Sequence, residues 1–302
     1  MSTILAPGSR EGAKAMEAAA LKGRSLWDDA RRRLFRNRAA VASMGMLALL
    51  VLAAIVGPYL APFAYDQINK ADTWAPPLTR GHLLGADPLG RDLLARLLIG
   101  LRVSLAVGVV ATAVSLVIGV LYGSVSGYLG GKVDELMMRI VEILYSLPFI
   151  FFVILLMVAF GRNFILMFVA IGAVEWLTMA RIVRGQTLSL KQREFVEAAR
   201  AAGLRGGAIV GRHIVPNLLG PVVVYVTLTI PGVILAESFL SFLGLGVQEP
   251  LTSLGTLISL GANEMDLAPW LLIFPAVTMV VTLLAFNFIG DGLRDAFDPK
   301  DR

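Results

Sequence analysis

Apolar residues in this chain gather into six long runs, set apart by stretches rich in charge, glycine or proline. Residues 39–61 and 103–125 carry no charge at all. Residues 136–160 form a third run, with Arg139 and Glu142 near its start and Pro148 inside it. A proline removes a backbone donor, so a kink is expected there. Residues 164–180 are shorter and carry Glu175, and residues 218–236 and 270–289 complete the set. A hydrocarbon core of about 30 Å needs about 20 apolar residues in a helix, so the pattern predicts an all-α membrane protein with six transmembrane helices. A polar leader of 38 residues precedes the first run, and no small-x-small cleavage site follows it, so that run is expected to be a retained anchor rather than a signal peptide. No internal repeat relates the two halves.

Composition and charge sharpen this picture. The 302 residues are 57% hydrophobic and only 16% charged, against about 25% charged in a soluble domain. Short cytoplasmic loops collect lysine and arginine. With the N-terminus inside, 21 of the 27 cationic residues fall on the cytoplasmic side and six on the outer side: Lys70, Arg80, Arg91, Arg96, Arg102 and Arg162. Both termini are therefore expected in the cytoplasm. The cluster Arg31, Arg32, Arg33, Arg36 and Arg38 reads as a topology signal beside anionic lipid, and the net charge of +5 does not imply nucleic acid. The absence of cysteine excludes disulfides, thiolate metal sites and a cysteine nucleophile, and two histidines, His82 and His213, make a poor metal set.

Between the fourth and fifth runs lies REFVEAARAAGLRGGAIVGRHIVPN, a charged, glycine-punctuated segment on the expected inner face. Phe195, Ala198, Ala199 and Ala202 fall at i, i+3, i+4 and i+7, which predicts one apolar stripe on an amphipathic helix. Small side chains along that stripe permit a partner to approach closely. Arg193 and Arg200 are spaced for pairing with Glu197. Gly203 is expected to end the helix in a left-handed conformation, with Gly206 and Gly207 then turning the chain. Pro216 should disfavour helix at Val215 and be tolerated in the first turn of the next span. Periodicity by itself reads as an ordinary interfacial helix.

Glu197, Ala198 and Ala199, with Gly203 four residues on and Pro216 thirteen beyond that, resemble the EAA signature of permease subunits of binding-protein-dependent ABC importers. His213 and Val215 stand where the general pattern has isoleucine and leucine. SLWDDARRRLFRNRAAVAS, GADPLGRDLL, SGYLGGKVDE, MARIVRGQTLSL, ESFLSFLGLGVQEP and FNFIGDGLRDAFDPKDR are similar to the C-type permease subunit of oligopeptide importers, a resemblance that covers nearly the whole chain. It implies the type I ABC importer permease fold in a bacterial cytoplasmic (inner) membrane. Residues 1–38 would be a cytoplasmic tail, 39–61 the first transmembrane helix, and 62–100 a periplasmic loop. Residues 101–292 would be a five-helix permease core with a coupling loop at 185–217, and 293–302 a second cytoplasmic tail. The implied function is ATP-driven oligopeptide import, with Glu197, Ala198, Ala199, Gly203 and Pro216 coupling the chain to ATPases. The implied partners are a second homologous permease, two cytosolic ATPase subunits that bind ATP and Mg, and an extracytoplasmic peptide-binding protein.

No ATP-binding motif is expected in this chain. A phosphate loop needs GxxxxGK[ST], and SGYLGGKV at residues 126–133 fails at Ser126 and at Val133. HExxH is absent and GSVSG does not fit GxSxG, so no catalytic residues or cofactors are expected, and an intramembrane hydrolase lacks its nucleophile and base. A stand-alone secondary transporter is a further reading, weakened by the missing repeat. Dipeptides, nickel or another solute remain alternative cargoes. Glu175 is expected to pair near Arg181 and Arg184 or to serve the pathway, and Glu237 to line the outer conduit or mark a helix end. Arg102 is expected to snorkel to the headgroups. The charge run at 85–97 reads as solvated, or as a contact for a receptor or sister permease.

Overall fold

A computed structural model describes residues 26–161 and 164–297; among them the regular structure is helical, with two isolated bridges, Thr79 with His82 and Ala86 with Asp92. The leader before residue 26, Arg162 and the tail beyond residue 297 lie outside the described residues. Helix α1 (Leu26–Arg36) begins with Asp28 and Asp29 and ends with Arg33 and Arg36, charges that complement its dipole. Asn37 separates it from α2 (Arg38–Leu60), accepting hydrogen bonds from the N–H groups of Ala39 and Ala40 at 3.1 and 3.2 Å. Only Ala40 and Ala54 of α2 are buried, so most of its apolar surface is left uncovered by this chain.

Pro58 lies within α2 and cannot donate to the carbonyl of Ala54. Arg102 supplies the missing donor: its Nε reaches Ala54 O at 2.8 Å and its Nη2 reaches Ile55 O at 2.9 Å, with the guanidinium 5.6 Å from the Tyr59 ring. The arginine expected to snorkel instead mends a proline break in the neighbouring helix. Arg102→Met is expected to cost about 1–3 kcal/mol for the orphaned carbonyls, read as a lower thermal midpoint in detergent. Pro58→Ala should remove most of that penalty, and an unchanged penalty in the alanine background would refute the pairing.

The segment between α2 and α3 (Leu93–Leu129) is ordered around buried charges. Asp92 caps α3 by accepting from Ala95 N at 2.8 Å, and its other oxygen lies 2.8 Å from His82 Nδ1. Asp72 pairs with Arg80, whose hydrogen bond to it holds the carboxyl below the usual carboxylate range, with His82 adding to the effect. Asp87, Arg91, Asp92 and Arg96 are all buried. The run expected to be solvated is therefore an internal charge network. Its partner is remote: Arg91 Nη1 reaches Glu249 at 2.9 Å across 158 positions of sequence.

At 37 residues, α3 is about 55 Å long at 1.5 Å per residue, so it extends well beyond a hydrocarbon core. Its first turns occupy the end of the stretch expected to be loop. The third apolar run becomes two helices, α4 (Gly131–Ser146) and α5 (Phe149–Phe160), bent by 87°. The reason is Leu147, which Pro148 holds extended at ψ 129°, so the helix stops rather than kinks. Helix α6 (Phe164–Leu190) continues beyond the expected end at residue 180. It lies along α3 on a row of glycines at 119, 123 and 127, where a methyl on Gly123 would sit 2.4 Å from Ala180 O.

The chain then forms α7 (Glu194–Ala201), α8 (Gly206–Ile209), a π-helical turn (Val210–Ile214), α9 (Val215–Phe242), α10 (Leu254–Asn263) and α11 (Trp270–Phe297). Among the described residues four helical runs are long and apolar enough to cross a membrane: Arg38–Leu60, Leu93–Leu129, Gly206–Phe242 and Trp270–Phe297. The bent pair α4 and α5 makes a fifth if it counts as one span.

Candidate coupling site

Helix α7 is a two-turn rod with defined ends. Arg193 precedes it in extended conformation, and its carbonyl accepts from Val196 N and Glu197 N at 2.9 and 3.2 Å. At the other end Gly203 has φ +80°. Leu204 N donates to Ala199 O at 3.2 Å and Gly203 N to Arg200 O at 3.0 Å. This paired closure is the Schellman arrangement, and it is the left-handed stop anticipated from the glycine.

The apolar stripe divides differently from expectation. Val196 and Ala199 are the buried pair, packed among Met179, Val183, Ile209, Ile214 and Leu218. Phe195, Ala198 and Ala202 are exposed, together with Glu194, Glu197 and Gly203. Adjacent apolar residues at 195 and 196 make the two faces hard to tell apart by period. The result is a rod whose inner face is held by this chain and whose outer face carries an aromatic ring, small residues and two carboxylates. Glu197 makes no ion pair with Arg193 or Arg200 among the described contacts.

Gly206 and Gly207 do not turn the chain; they begin α8, with Arg205 as its extended cap. Val215 is helical at φ −56° and ψ −45°, and the run continues through Pro216. The preceding π-turn accommodates the proline: Val215 N bonds Val210 O, five residues back, so the ladder is already shifted where Pro216 has no donor to give. Pro216 lies outside the rod and is exposed. Glu197, Ala198, Ala199 and Gly203 thus share α7 and its closure, while Pro216 sits on the stem that returns to the membrane.

Contacts below the rod were missed in the sequence. Arg184 forms a two-pronged pair with Asp134 at 2.6 Å for both bonds, and Ser126 Oγ donates to Asp134 at 2.5 Å. Lys191 Nζ lies 5.7 Å from the Tyr128 ring centre, and a methyl on Gly206 would stand 2.8 Å from Tyr128 Cε1. The signal was SGYLGGKVDE, which has too few phosphate-binding features to be a nucleotide loop.

The remaining carboxylates also find different roles. Glu175 is half-buried and does not meet the expected arginines, since Arg184 engages Asp134 and Arg181 lies 4.0 Å from the Tyr145 ring centre. Glu237 neither marks a helix end nor faces open space. It is fully buried, accepting from Ser104 Oγ at 3.1 Å and Ser241 Oγ at 2.6 Å, while Ser104 Oγ accepts from Leu254 N. These contacts knit α3, α9 and α10 together.

Residues 115–302 match the family described as binding-protein-dependent transport system inner membrane component, and residues 25–77 match the N-terminal TM domain of oligopeptide transport permease C. The chain belongs to this inner-membrane transport family. It is a permease, and its relatives agree over nearly full length. The oligopeptide transport system permease protein OppC of Escherichia coli is 62% identical over 283 residues, 93% of this chain and 94% of that protein. OppC of Haemophilus influenzae is 57% identical over 288 residues, covering 95% and 93% of the two chains. The dipeptide transport system permease protein DppC of Bacillus subtilis is 44% identical over 292 residues, 96% of this permease and 91% of that relative.

Proposed function

We infer that this permease carries oligopeptides inward through a binding-protein-dependent ABC importer and supplies half of the translocation pathway. The likeness to OppC proteins over whole chains supports the cargo. The observation that carries the coupling role is the rod Glu194–Ala201, anchored on one face and presenting Phe195, Ala198 and Ala202 on the other. Glu197, Ala198, Ala199 and Gly203 form its docking end for a cytosolic ATPase, and Pro216 shapes the return stem.

In this reading six spans cross the bilayer, α6 being the sixth and α4 with α5 a broken one, and both termini are cytoplasmic. The chain itself is non-catalytic. ATP and Mg belong to two ATPase subunits, a homologous permease completes the pathway as a heterodimer, and an extracytoplasmic binding protein delivers the peptide. Dipeptide import is the second reading, favoured by the 44% identity to DppC.

Gentle purification of the tagged chain from its native membrane is expected to recover two nucleotide-binding subunits and another permease. In vesicles, uptake of labelled tripeptide should stop on ATP depletion with the ion gradient held. Uptake that persisted would favour a gradient-driven transporter and overturn the reading. Competition by tripeptides and pentapeptides, but not dipeptides, would separate the two cargoes.

A further inference from the structure

SGYLGGKVDE has no part in nucleotide binding, yet three of its side chains hold the two stems of the coupling loop. Ser126 and Asp134 are both buried, and together they receive Arg184, which lies in α6 on the incoming stem. Tyr128 stands between Lys191, just before the rod, and Gly206, just after it. Gly130, at φ +68°, turns the chain between α3 and α4, so that Asp134 comes back onto Ser126. The same end of α3 is bound to α6 along Gly119, Gly123 and Gly127; a methyl on Gly127 would lie 2.9 Å from Arg184 O. Both stems are thus fastened to one short stretch of α3 and α4.

We propose that Ser126, Tyr128 and Asp134 form a socket, with Arg184 as its key, that delivers displacement of the rod Glu194–Ala201 to α3 and α6 as one body. This rests on the coupling role given to α7. A hydrogen bond that is two-pronged and charge-assisted resists both sliding and rotation, which a single contact does not. Ser126 adds a third bond to the same carboxylate. An ammonium at position 184 would keep the charge and lose the paired geometry. These four are positioning residues: none is placed against cargo or nucleotide.

The test uses the full importer with its ATPases and receptor in proteoliposomes, with labelled trialanine as cargo. Arg184→Lys and Asp134→Asn are expected to co-purify with the ATPases at parental stoichiometry and to hydrolyse ATP. Uptake should fall at least tenfold, so that trialanine moved per ATP falls with it. The exchanged pair Asp134→Arg with Arg184→Asp should restore part of that ratio. Tyr128→Ala supplies an independent arm and should lower the ratio in the same way.

An unchanged ratio in Arg184→Lys and Asp134→Asn would overturn the socket. So would loss of ATPase co-purification with hydrolysis and uptake falling in parallel, since that is a purely structural defect. If Gly203→Val abolishes uptake while the Arg184 variants keep the parental ratio, the socket alone fails. If both keep it, the coupling role of the loop fails.

Discussion

Gly203→Val is expected to reduce peptide uptake at least tenfold while leaving membrane insertion unchanged, whereas Gly203→Asn should retain most of the transport. The argument is conformational. Gly203 sits at φ +80°, and a methyl added there would meet nothing within 4 Å, so space is not the constraint. Left-handed backbone costs an ordinary residue about 1–2 kcal/mol, and a β-branched one suffers most, while asparagine visits that region readily. Valine would therefore undo the bonds from Gly203 N and Leu204 N that close the rod. Inward burial of the rod at Val196 and Ala199 does not depend on that closure, so the chain should still fold and insert. Immunoblotting of membranes and uptake of labelled tripeptide check the two halves separately.

Gly203→Asp separates two causes. Aspartate tolerates the left-handed region, and the position is exposed in this chain, so a charge there becomes buried only against a partner. Loss with aspartate but not asparagine would locate the defect in the docked face. Loss with valine alone would locate it in the turn.

Four of the six expected runs are legible as helices able to cross a membrane, because transfer energies add over about 20 residues and local errors average out. The left-handed stop was legible because glycine after a helical segment has one physical use there. Other features depend on partners that no window contains. Arg91, buried against Asp87, also pairs with Glu249, far along the chain. Arg102 reads as a snorkelling cation until Pro58 on the neighbouring helix is seen to leave Ala54 O without a donor. The stripe expected on α7 splits, Ala199 turning inward while Phe195, Ala198 and Ala202 stay out, because Val196, beside Phe195, decides which face turns in. The π-turn at Val210–Ile214 and the full break at Leu147 show proline acting in opposite ways: a shifted ladder absorbs Pro216, while extended Leu147 ends the helix before Pro148.

Asp87→Ala should be the most damaging single change in the segment between α2 and α3, costing about 3–5 kcal/mol as expected when one member of a buried ion pair is removed. Asp87 is fully buried and accepts from Leu89 N at 2.8 Å, Arg91 N at 2.9 Å and Arg91 Nε at 2.6 Å. Arg96 is also buried, with Nε and Nη1 lacking hydrogen-bond partners, and the Asp87 carboxylate at 3.6 Å is its nearest countercharge. Without it, two buried guanidiniums would share Glu249, which is 64% exposed and 4.0 Å from Arg96. Water cannot reach the arginines well enough to replace the lost charge, so the segment should open rather than rearrange. Limited proteolysis of intact vesicles should then cut between residues 61 and 92, and the thermal midpoint in detergent should fall. Asp87→Asn keeps an acceptor for the two backbone donors and should be less severe, although it loses the charge and the acceptor for Arg91 Nε. Because the pair is buried, added salt should change the parental midpoint little. Parental protease resistance in Asp87→Ala would mean that this carboxylate does not hold the segment between α2 and α3 together.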